Sequence, residues 1–64
     1  MDEIQGMVQE IVFRNEVNGY TVMDIGDDKD LTTLIGHFPF VNLGETIKAV
    51  GQWVQHPDYG RQFK

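Results

Sequence analysis

Apolar positions in this chain recur in short β-branched and aromatic runs with glycine-centred breaks between them, a pattern that reads as strands and not as helices. The longest run is Ile4 to Phe13. On a two-residue period Met7, Ile11 and Phe13 share one side and Val8 and Val12 the other, and Gly6 marks a bulge or a sharp coil. "VNGY" follows, and Asn18-Gly19 is a strong hairpin signal because both residues tolerate the positive φ of a type I′ turn; Asn15-Glu16 leaves a longer loop equally open. A second strand, Tyr20 to Ile25, passes through the polar "GDDKD" into a third, Leu31 to His37.

"FPFVNLGE" then breaks the ladder, because Pro39 lacks a backbone donor and Asn42 and Gly44 favour turns. It predicts an irregular crossover in which Phe38, Phe40, Val41 or Leu43 plugs the core. The fourth strand, Thr46 to Gln55, places Ile47, Ala49, Gly51 and Trp53 on one side and Val50 and Val54 on the other, with Gly51 where a strand bends. Pro57-Asp58-Tyr59-Gly60 turns the chain into a fifth strand from Arg61 to Lys64, which sets Phe63 beside Trp53. Five antiparallel strands with a connector after the third predict an all-β chain: a small five-stranded Greek-key barrel, OB-fold-like, with an SH3-like barrel as the competing architecture.

The 64 residues form a single domain, residues 1–64. A last strand of four residues leaves an unpaired edge, which predicts a truncated piece of a longer chain that continues past Lys64. With no cysteine there is no disulfide framework, and no apolar run reaches the roughly 20 residues of a membrane span, so a cytoplasmic setting is expected. The net charge of -5 argues against tight, sequence-independent nucleic-acid binding, although Arg61 and Lys64 at one end and Asp27, Asp28 and Asp30 in one loop allow a dipolar surface.

Candidate chemistry is sparse. The chain has no serine or cysteine nucleophile, and its acidic loop is too polar to form a buried acid-base cleft, so it is expected to be non-enzymatic. His37, His56 and Asp58 lack a third strong ligand at a fixed spacing, and no metal site is expected. Phe13, Phe38, Phe40 and Trp53 are expected in the core. Tyr20 and Tyr59, each beside a turn glycine, are the candidates for stacking on bases, with turn packing as the plainer reading. Arg14 and Arg61 are the candidates for phosphate contacts, with a solvated side chain or a neighbouring domain as the plainer reading.

Taken together, "IVFRNEVNGYTVMDI", "LIGHFPFVNLGETIKAVGQWV" and "HPDYGRQFK" resemble the N-terminal OB-like domain of RecD-type DNA helicases, the exodeoxyribonuclease V alpha-chain family in its form with an extended N-terminus. The resemblance runs from about Gly6 to the end, through Phe13, Asn15, Glu16, Asn18 to Val22, Gly36, Gly44-Glu45, Gly51, Trp53, His56-Pro57 and Tyr59 to Phe63. It implies a much longer parent with a helix-hairpin-helix region and two motor domains that use ATP and Mg to move on single-stranded DNA in recombination and repair. This stretch contains no Gly-x-x-x-x-Gly-Lys-Ser/Thr phosphate loop, so no cofactor is expected within it. The partners implied are the remaining parent domains and, weakly, single-stranded DNA, with no membrane. A protein-interaction scaffold that binds no nucleic acid is the alternative.

Overall fold

The computed structural model describes residues 1–27, 29–58 and 60–64, and its strands fall close to the period-two runs. They are β1 (Asp2–Arg14), β2 (Tyr20–Gly26), β3 (Leu31–His37), β4 (Thr46–Gly51), β5 (Trp53–His56) and β6 (Gly60–Phe63), with no helix among the described residues. The sheet order is β4-β1-β2-β3-β6-β5. Its two outer members are consecutive in the chain and separated only by Gln52, so the sheet closes on itself. Gln52 and Lys64 fill the seam by exchanging both backbone bonds, at 2.9 and 2.8 Å.

The expected fourth strand is therefore two strands with a corner between them, one pairing with β1 and the other with β6. Gly51 makes that corner possible, since a Cβ there would overlap the carbonyl of Lys64. A second correction concerns polarity. β4 and β5 run against β1, the final hairpin reverses the chain once more, and β6 meets β3 in parallel, with Thr33 opposite Gln62 and Leu34 opposite Phe63. This makes the all-antiparallel expectation wrong and the barrel OB-like, with a long first strand shared by two neighbours. β6 lies between β3 and β5 and not at an edge, and its ladder with β3 runs over Thr33–Gln62 and Leu34–Phe63.

Two β-bulges in β1 control which side chains face inward. Its first half keeps Ile4 and Val8 inside. Register shifts then fall between Val8 and Glu10 and between Ile11 and Phe13, not at Gly6, which instead lies against the backbone of Gly26. The first shift turns Ile11 inward opposite Met23. The second sends Phe13 outward opposite Val22 and swings Arg14 round opposite Thr21. Met7, Ile11 and Phe13 consequently do not share one face: Ile11 packs on the core, while Met7 and Phe13 are exposed.

Val8, Met23, Ile25, Leu34, Val41 and Phe63 form the core, with Ile4, Ile11, Phe38, Ile47, Ala49 and Trp53 packed against it. Phe63 is fully buried and meets its cross-strand partner Trp53 edge to face, ring centroids 5.0 Å apart, as the sequence predicts. The connector 38–45 is irregular, and Val41 is its plug, helped by Phe38. Phe40 and Leu43 point outward instead, and Phe40 is 89% exposed. The β1–β2 connection is the longer of the two turns that the sequence allows. Only Gly19 has positive φ, at 79°, and the Asn15 and Asn18 side chains accept from the amides of Val17 and Tyr20, at 2.9 Å each.

Candidate functional site

The outer face of β1, β2 and β3 carries an open groove of about 390 Å³ lined by Val12, Phe13, Val22, Asp24, Thr33 and Gln62. Its existence traces to the second bulge. Val12 is the extra residue between Ile11 and Phe13, so two consecutive apolar side chains stand on the surface, 57% and 53% exposed. Phe13 continues into a row of rings across three strands. Its centroid lies 6.2 Å from that of Tyr20, and Tyr20 lies 6.3 Å from His37, its direct cross-strand partner, both in edge-on geometry. The sequence reading placed Phe13 in the core and missed this row, because nothing in the composition of a strand marks a bulge.

Asp24 accepts the Thr33 hydroxyl at 3.0 Å and faces Glu10 across the β1–β2 ladder, so the charged groups placed here are acids. Neither candidate arginine is on the groove. Arg14, turned by the bulge, donates from Nη1 to the Val41 carbonyl at 3.1 Å and from Nη2 to the carbonyls of Phe38, at 3.2 Å, and Pro39. Its guanidinium ties the connector to β1. Arg61 lies at the far end of β3, its guanidinium carbon 3.9 Å above the centre of the Trp53 ring, beside Asp30, Leu31 and Thr32. Tyr20 is in the aromatic row. Tyr59 lies outside the described residues, as does Asp28 of the acidic loop.

In that loop the Asp27 carboxylate accepts the backbone amides of Asp30 and Lys29, at 2.9 Å each, and these bonds hold its pKa below the usual aspartate value. His56 accepts the Asp58 amide on Nδ1 at 3.0 Å, a turn-building contact. Among the described residues no three His, Cys, Asp or Glu side chains are grouped to hold a metal ion.

A family model for the OB-fold domain of the ATP-dependent DNA helicase YrrC matches residues 1–64, the whole chain. No solved structure matches. Among the described residues the glycines with positive φ (Gly19, Gly26, Gly44 and Gly60) lie at separate connections and strand ends, and none heads a helix that would cradle phosphate.

Proposed function

The chain belongs to the OB-fold domain family of the ATP-dependent DNA helicase YrrC, and from that premise we propose that it is a non-catalytic accessory domain of a longer, cytoplasmic RecD-type helicase acting in recombination and repair. ATP and Mg belong to the motor domains of that parent. The domain contributes weak single-stranded DNA contacts through base stacking on Phe13, Tyr20 and His37, and it gains effect from being tethered to stronger sites. The observation that carries this reading is the outward aromatic row on the strands by which OB barrels take oligonucleotides.

The same face has no arginine or lysine in its groove lining, so stacking supplies the contact and phosphate neutralisation adds little. A second reading uses the same apolar floor differently, with Val12, Phe13 and Val22 packing against another domain of the parent. Titrating the isotope-labelled chain with oligo(dT) separates the two. Stacking predicts amide shifts centred on Phe13, Tyr20 and His37 that disappear in Phe13→Ala. Shifts elsewhere, or none at millimolar DNA, leave the packing reading in place.

A further inference from the structure

At the end of the barrel away from the Trp53–Arg61 stack, the loop 15–19 meets the start of the connector 38–45, and the two segments present Val17, Phe40 and, further along where Gly44 and Glu45 bond to Val8, Leu43 to solvent. Val17 is 96% exposed, Phe40 89% and Leu43 63%. These knobs stand on braced backbone. Arg14 ties down three connector carbonyls, Phe38 donates its amide to the Gly19 carbonyl at 2.9 Å, and a Cβ on Gly19 would lie only 3.4 Å from the Pro39 side chain. Between loop and connector lies an open recess of about 380 Å³, lined by Arg14, Glu16, Gly19, Pro39, Phe40 and Asn42. Little ordering is lost when a partner settles on such a surface.

Charge indicates which partner. The carboxylates beside the knobs are Glu16 in the loop and Glu45 on the connector; Glu45 shares a hollow with Phe40 and His37 and is oriented by a 3.0 Å bond from the Asn42 side-chain amide. Among the described residues that line the recess the cation is Arg14, whose guanidinium is turned onto the connector carbonyls. Nucleic acid would meet repulsion, whereas an apolar ridge flanked by lysine or arginine would match both the knobs and their rim. We propose that this barrel end is a protein-docking surface for a basic amphipathic segment, distinct from the aromatic row on the outer face.

The test titrates the labelled chain with a short synthetic leucine/lysine amphipathic helix, with its leucine/glutamate counterpart, and with oligo(dT). The expected result is amide shifts centred on Val17, Gly19, Phe40 and Leu43 with the lysine peptide and not with the glutamate peptide. The double change Val17→Ala, Phe40→Ala should weaken binding about tenfold or more while the rest of the spectrum stays put, since both side chains are solvent-exposed. Equal response to both peptides, shifts centred on Phe13 and Tyr20, no binding, or oligo(dT) moving the Val17 and Phe40 amides would overturn the proposal. Val17 and Leu43 report on this surface alone and Phe13 on the groove alone, so failure here is distinguishable from failure of the DNA reading.

Discussion

Arg14 gives up its hydrogen-bonding capacity to hold three connector carbonyls, and removing it would leave those carbonyls without their charged donor. Hydrogen bonds to charged groups contribute about 1.5 to 3 kcal/mol, so Arg14→Ala should lower the melting temperature clearly. Arg14→Lys should recover little of it, because an ammonium cannot span several acceptors as a planar fork does. If Arg14→Ala melts like the parent sequence yet loses DNA binding, the residue is a phosphate contact after all. Two phenylalanines give the opposite contrast. Phe63→Ala empties a fully buried site and should cost about 3 to 5 kcal/mol, enough to unfold much of so small a domain, whereas exposed Phe13→Ala should stay within about 0.5 kcal/mol. Thermal melts of the pair decide this. In the sequence Phe13 closes the apolar run Ile11-Val12-Phe13 while Phe63 stands between Gln62 and Lys64, so local composition does not separate core from surface and the register does.

At the level of elements, strand positions were legible because period-two runs and glycine breaks are local properties, and the Trp53–Phe63 pair followed from the turn between their strands. Two features were not: the bulge at Val12 uses an ordinary β-branched residue, and the parallel closure of β3 with β6 depends on the whole path of the chain. The bend at Gly51 was legible from the glycine, but not that it divides one strand between two partners, β1 and β6. The corner can be tested directly. Gly51→Ala should destabilise by more than the roughly 1 kcal/mol typical of single changes, because the added methyl meets the Lys64 carbonyl, and a denaturant midpoint unchanged from the parent would refute the seam. The 27–30 loop adds a pH signature. Asp27 has a lowered pKa in the fold because it accepts the amides of Asp30 and Lys29, so its contribution is complete above the ordinary aspartate value of 3.8 and is lost as pH falls through the lowered one. Stability profiles of Asp27→Ala and the parent should differ at neutral pH and converge in acid. A constant gap throughout would contradict the assignment.

Three of the five basic residues are each engaged at a separate place: Arg14 on the connector, Arg61 on Trp53, and Lys48 in a 3.7 Å ion pair with Glu3 on the β4–β1 surface. Among the described residues no basic side chain lines the groove beside the aromatic row, so the proposed DNA contact rests on stacking. The measurement that tests this most directly is the salt dependence of oligo(dT) binding to the 64-residue chain, read by fluorescence anisotropy. The dissociation constant should fall on the order of 10⁻⁴ to 10⁻⁶ M, and log K should change with log salt by a slope of about one or less, since each neutralised phosphate on a single strand adds roughly 0.7. Submicromolar affinity that collapses with a slope of several units would contradict the account, because it would require basic side chains that the groove lining lacks.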